Sequence, residues 1–150
     1  MGRALAPVWD AILRFFELTE LEFETIEIAG EVVEEVCHFS EEVYPKEFVA
    51  VLAGAVRNHV LHIDRLLFQP FTNTETSSQI HLDLPIASGN VGSVHSHPSP
   101  SSRPSTQDLR FFSKLGGIHL IICKPFRESD IRAYLSDGTP VEFTVGGTAR

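Results

Sequence analysis

At 150 residues, with 43% apolar and 21% charged side chains, the chain has room for one hydrophobic core, and its composition excludes a disordered, collagenous or disulfide-built protein. Its longest nearly apolar run, Phe48 to Val56, falls well short of the roughly 20 residues that a membrane-spanning helix needs. The net charge of −8, with 12 acids against 3 bases in residues 1–47 and 8 against 9 thereafter, offers no Lys/Arg cluster for a phosphate backbone, so neither a membrane nor a nucleic acid is an expected partner.

Asp10 and Arg14 interrupt the stretch that a secretory signal would need, and Cys37 and Cys123 lie far apart in no C-x-x-C pair. Both features suit a reducing cytoplasm. Trp9, Ile12, Leu13, Phe15 and Phe16 fall at the spacing of a short amphipathic helix, an appendage to the main domain. Val32, Val33, Val36, Phe39 and Val43 form one stripe of a second helix from Glu31 to Val43, which Pro45 terminates. The glutamates between Glu17 and Glu47 read as a solvated face, with a docking face for a basic partner as the alternative.

Phe48 to Leu52 reads as a strand covered on both faces and ending at Gly54, and a second strand is expected from His59 to Phe68. Phe71 to Ser78 is polar enough for a loop, Gln79 to Leu84 alternates weakly, and Val91 to His95 resumes an apolar strand. After the proline-rich segment Pro98 to Pro104, a helix from Ser105 to about Lys114 and a strand from Ile118 to Cys123 are expected. Two further strands, near Ile131–Leu135 and Val141–Val145, flank Asp137-Gly138, a hairpin signal. Helices and strands intermix, so the fold class is α/β or α+β.

The chemistry concentrates in VGSVHSHPSPSSRPSTQD. His95 and His97 stand at i and i+2, which on an extended chain puts both imidazoles on one face within reach of one ion. After ten intervening residues, prolines and serines among them, Asp108 can return a carboxylate to the pair. Two nitrogens and one oxygen suit zinc, and three protein ligands leave the fourth tetrahedral position open, as in catalytic sites. H-x-H pairs also occur without metal, and Ser105-x-x-Asp108 is also a helix capping box. Spacing alone leaves both readings open.

The same residues resemble the JAMM (MPN+) metalloproteases, whose signature is H-[ST]-H-P, six residues, S, two residues, D. His95, Ser96, His97, Pro98, Ser105 and Asp108 satisfy every fixed position. An upstream family element, h-P-x-E-x-x-G-x-L-x-G, is similar to YPKEFVAVLAG: Tyr44, Pro45, Glu47, Leu52 and Gly54 fit, and Ala50 replaces the first glycine. The resemblance extends to archaeal JAMM proteins and runs from about Thr25 to Val145. It implies an N-terminal extension over 1–24, a metalloprotease domain over 25–150, and a mixed curved sheet flanked by helices, resembling the cytidine-deaminase-like arrangement.

It further implies one zinc ion held by His95, His97 and Asp108, with Glu47 as general base and acid and Ser105 donating to the oxyanion. The implied activity is hydrolysis of isopeptide or peptide bonds at the C-terminus of ubiquitin-like modifiers, of the desampylase kind, on small-modifier conjugates. A processing peptidase for a sulfur-carrier protein and a non-catalytic MPN scaffold are the alternatives. The substrate tail is expected to add as a strand to an exposed sheet edge, walled by Phe71–Ser78 and Pro98–Pro104. Monomer and homodimer are both compatible with the sequence. His38, His59, His62, His81 and His119 lack ligand spacing and read as surface or hydrogen-bonded residues, His59 and His62 on opposite faces of their strand. Cys123 reads as a small core residue, and Gly146-Gly147 as part of a flexible end.

Overall fold

The computed structural model describes residues 22–67 and 89–147. Thr25-Ile-Glu-Ile-Ala29 alternates with period two and forms β1 (Thr25–Ala29), with Ile26 and Ile28 buried. The sequence reading places no strand here, because five residues between glutamates give too short a pattern to stand out. Helix α1 (Gly30–Val43) comes immediately after it, burying Val32, Val33 and Val36 as its stripe predicts and stopping before Tyr44-Pro45. The buried Ser40 donates its hydroxyl proton to the Val36 carbonyl at 2.6 Å, which satisfies it without a partner outside the helix.

Strands β2 (Val49–Arg57) and β3 (Val60–Leu67) form an antiparallel hairpin. Asn58 and His59 connect them with φ of 51° and 61°, the left-handed pair that a two-residue hairpin turn demands. His59 is therefore a turn residue and not a strand residue, which corrects the expected start of β3. Gly54 does not end β2 as expected. The strand runs through it at a register shift, and a Cβ there would lie 1.9 Å from the His62 carbonyl oxygen, so glycine permits the close approach of backbones.

Strand β4 (Asn90–His97), helix α2 (Thr106–Leu115) and strand β5 (Ile118–Cys123) match their expected positions closely. A 3-10 turn at Glu128–Asp130 leads into β6 (Ile131–Leu135). Beyond Asp137-Gly138 the expected single strand is split: β7 (Pro140–Val141) completes the hairpin with β6, whereas β8 (Thr144–Gly146) pairs in parallel with β1. Gly146, read from sequence as part of a flexible end, is the last residue of β8 and pairs with Ala29.

The strand order is β7-β6-β5-β4-β2-β3-β1-β8, and the sheet is mixed: β1–β3, β1–β8 and β4–β5 are parallel and the other pairs antiparallel. Val141 and Thr144 stand at opposite ends of that order with only Glu142 and Phe143 between them. Three Cα steps reach at most roughly 11 Å. The two ends of the sheet therefore approach each other, and the sheet is strongly curved.

Helices cover both faces. In β5, Leu120 and Ile122 join the core that α1 builds with Val32, Val33 and Val36, while Ile121 joins Phe112 of α2 and Tyr134 in a second cluster. This is the mixed curved sheet flanked by helices that the resemblance implies. Among the described residues no helix is long and apolar enough to cross a membrane. The expected helix at Trp9–Phe16, the loop Phe71–Ser78, the strand Gln79–Leu84, Phe68 and His81 lie outside the described residues.

Candidate metal centre and active site

The last residues of β4 carry the two histidines. Strand alternation places His95 and His97 on one face, and their Nε2 atoms stand 3.0 Å apart. Helix α2 brings the third group. Ser105 is its N-cap, and Asp108 occupies the third helical position, so the segment's capping chemistry fixes where the carboxylate points. The Ser105 hydroxyl accepts the Asp108 amide proton at 3.1 Å, and the Ser105 amide donates to Asp108 Oδ2 at 2.6 Å. The capping-box reading of S-x-x-D holds, and the same two bonds fix the direction of the Asp108 carboxylate, so a cap and a ligand are compatible here.

Asp108 Oδ1 lies 3.2 Å from His95 Nε2, and Oδ2 lies 3.3 Å from His97 Nε2. Zinc bonds of about 2.0–2.1 Å in a tetrahedron separate neighbouring ligand atoms by about 3.3–3.4 Å. Each histidine meets a different Asp108 oxygen at about that edge length, and one ligand atom from each of the three residues lies within 4.8 Å of the others, so these residues fit a zinc ion. The tautomer fits as well. His97 Nδ1 donates to the Ser101 carbonyl at 2.9 Å, so Nε2 is the nitrogen turned to His95 and Asp108; it donates to the carboxylate when protonated and would present its lone pair to a metal ion. His95 is buried, whereas His97 and Asp108 are half-buried, so the centre is walled on the sheet side and open on the other.

The electrostatics follow from this convergence. Burial disfavours a charged Asp108, but hydrogen bonds from His95 and His97 outweigh it and hold the carboxyl well below its usual range. The hydrogen bond to Asp108 raises the pKa of His97 against the opposing cost of burial, helped by the Ser101 carbonyl and by the charges of Asp108 and Glu47. The backbone course accounts for the reach of Glu47: Val49 pairs with His95 and Phe48 bonds Ser96, so Glu47, just before β2, lies near enough to His97 for its charge to act there. Its carboxylate is exposed.

The proline-rich segment that connects the histidines to the helix is anchored throughout. Ser99 accepts the Lys124 amide at 3.1 Å, Ser101 accepts His97, and Ser102 accepts the Tyr134 hydroxyl at 2.7 Å. Behind the centre, His119 is buried with its ring stacked on Phe112 at 4.0 Å and 8°, and its Nδ1 shares a 2.7 Å hydrogen bond with Ser93. Burial pushes its pKa down to about 3, so it is neutral. The sequence reading groups it with surface or hydrogen-bonded histidines, and its place in the apolar run IHLIIC was the available sign of burial.

The remaining described histidines are not among the converging donors. His38 is exposed against Phe39, His59 is in the hairpin turn, and His62 lies 3.3 Å from Glu27 on the paired strand. Cys123 is buried, in keeping with a core role, and burial raises its pKa and disfavours the thiolate that a nucleophile would need. Its register partner is His97.

A strand-end histidine pair completed by the carboxylate of a capped helix, on a curved mixed sheet, defines a JAMM-type centre. The sequence matches the family described as prokaryotic homologs of the JAB domain over residues 30–136, and the chain belongs to that family of JAMM metalloproteases. It is 30% identical over 123 residues to a probable metalloprotease of Haloferax volcanii, covering 77% of this chain and 76% of that one. Among solved structures, one described as a JAMM metalloprotease-like zinc site in the proteasome and signalosome is similar at 31% identity and a TM-score of 0.63, over 82% of this chain and 99% of that chain. A JAB1/MPN domain protein from Archaeoglobus fulgidus is similar at 29% identity and a TM-score of 0.62, over 82% and 98%.

Proposed function

We propose that the protein is a zinc-dependent isopeptidase that hydrolyses the bond joining the C-terminus of a ubiquitin-like small modifier to its target. His95, His97 and Asp108 would hold one zinc ion, Glu47 would move the proton, and Ser105 would stabilise the oxyanion. The observation that carries the reading is the convergence of the two Nε2 atoms, 3.0 Å apart, on the Asp108 carboxylate, whose Oδ1 lies 3.2 Å from His95 and whose Oδ2 lies 3.3 Å from His97, with Glu47 and Ser105 beside them. When bound, zinc would lower the pKa of a coordinated water to about 7 and polarise a carbonyl oxygen.

The chain's own groups do the rest. Glu47, near His97 at the open side, accepts a proton from the attacking water and returns it to the leaving lysine amine. The Ser105 hydroxyl accepts from the Asp108 amide, so its own proton remains available for the negative charge that develops on the substrate oxygen. β4 is paired on both sides, with β2 and β5, so a substrate tail does not add beside it. A tail that adds as a strand does so at another, exposed edge, with Pro98–Pro104 as one wall beside the centre. Residues 25–150 form the catalytic domain and 1–24 an extension, acting in a reducing cytoplasm on small-modifier conjugates.

The test is incubation of the purified protein with a modifier–lysine conjugate and, separately, with a tailed sulfur-carrier precursor, each with and without chelator. The reading expects chelator-sensitive release of free modifier from the conjugate. Cleavage of the precursor alone would move the protein to a processing peptidase, and no cleavage by the zinc-loaded protein would leave a non-catalytic scaffold.

A further inference from the structure

We infer that Ser96, the residue between the two histidines, is a positioning residue that holds Glu47 in register with the centre. The inference rests on the reading of Glu47 as the proton carrier. Strand alternation turns Ser96 to the face opposite His95 and His97, where it is 1% exposed. There its hydroxyl accepts the Phe48 amide proton at 2.8 Å, while its own amide donates to the Phe48 carbonyl at 2.9 Å.

These two bonds tie the residue that follows Glu47 to the residue that separates the histidines. They do so where β2 begins, since Val49 is its first strand residue. Any side chain at position 96 would supply the backbone bond, but only a hydroxyl supplies the other. The anchor is itself held: Phe48 is 6% exposed and stacks on Phe39 of α1 at 5.8 Å between ring centroids. Glu47 thus has an exposed side chain on a backbone clamped one residue away. A group that must meet a water and a leaving amine in turn needs such a fixed origin, because misplacement by about 1 Å can cost on the order of 100-fold in rate.

Thr and Val have nearly the same shape, so Ser96→Thr and Ser96→Val isolate the hydroxyl. Ser96→Val is expected to keep its zinc and its KM and to lose roughly 10–100-fold in kcat, while Ser96→Thr stays near wild type. In a Glu47→Gln background Ser96→Val should cause no further loss, because both changes act through one group. A further loss of the same factor there would mark a merely structural residue and overturn the proposal. Amide hydrogen exchange at Phe48 in the zinc-loaded protein should accelerate in Ser96→Val and not in Ser96→Thr; unchanged protection would overturn the clamp whatever the activity. Wild-type turnover by Ser96→Val beside an inactive Glu47→Gln removes only the role of Ser96. Full turnover by Glu47→Gln removes the reading on which it rests.

Discussion

Ser105 and Asp108 each bind the other's backbone amide, at 3.1 and 2.6 Å, so the N-cap of α2 and one edge of the candidate metal centre are the same two residues. Stability and chemistry are therefore coupled at this point, and substitutions can be chosen to separate them. Glycine caps a helix almost as well as serine but has no hydroxyl. Ser105→Gly is expected to change stability by only a few tenths of a kcal/mol and to retain zinc, while kcat falls about 100–1,000-fold, as for loss of one oxyanion donor. Thermal denaturation and steady-state kinetics on one preparation check both halves, and unchanged turnover would remove Ser105 from the mechanism.

Asp108→Asn keeps an acceptor for the Ser105 amide and removes the charge. Helix α2 should stay capped, while zinc affinity falls by more than the roughly 10–100-fold that loss of an outer-shell partner costs. Competition with a chromophoric chelator measures this, and wild-type affinity would exclude Asp108 as a ligand.

Zinc should raise the melting temperature of the metal-free protein. At a free concentration 100 times Kd the stabilisation is about 2.7 kcal/mol, or roughly 5–10 °C for a chain of this size. The shift should vanish in the variant with both His95 and His97 replaced by alanine. A shift that survives there would place the metal elsewhere.

His119 gives the fold an acid-sensitive point. Its pKa is near 6.5 unfolded and about 3 folded, so the unfolded chain binds the proton first, and stability falls as pH drops from about 6.5 towards 3. The loss approaches roughly 1.4 kcal/mol per pH unit while the group titrates. Denaturant unfolding in chelator, where the metal ligands titrate alike in both proteins, should show a shallower acid slope for His119→Asn than for wild type. Equal slopes would contradict a buried neutral imidazole.

Both thiols have raised pKa values, Cys37 and Cys123 alike chiefly through burial. Alkylation at pH 7.5 should be slower in the native than in the unfolded protein, and Cys123→Ala should keep its activity. An inactive Cys123→Ala that still binds zinc would reopen a thiol mechanism.

Much of the centre was legible in the sequence because its parts are local. His95 and His97 are two apart on a strand, and Ser105 and Asp108 are three apart at a helix start, so periodicity and capping chemistry state most of the geometry. Glu47 lies 48 residues from His95, and no local pattern joins them; only the resemblance to a known family did. β1 was missed because its pattern is five residues long and its strand partners come from β3 and β8. The splitting of Val141–Val145 was missed for a related reason: the approach of the two sheet ends follows from the curvature of all eight strands, which no segment encodes alone. Ser96 entered only as a fixed position of the family signature, and its contact with the Phe48 amide, remote in sequence, needed the folded chain to show.

The most direct measurement of the central claim is zinc K-edge X-ray absorption on the loaded protein. Cys123 pairs with His97 in the β4–β5 register, so sulfur is the competing donor to exclude. The expected result is about four nitrogen and oxygen ligands near 2.0–2.1 Å, two of them imidazoles. A sulfur ligand near 2.3 Å, or a single imidazole, would contradict a centre built from His95, His97 and Asp108.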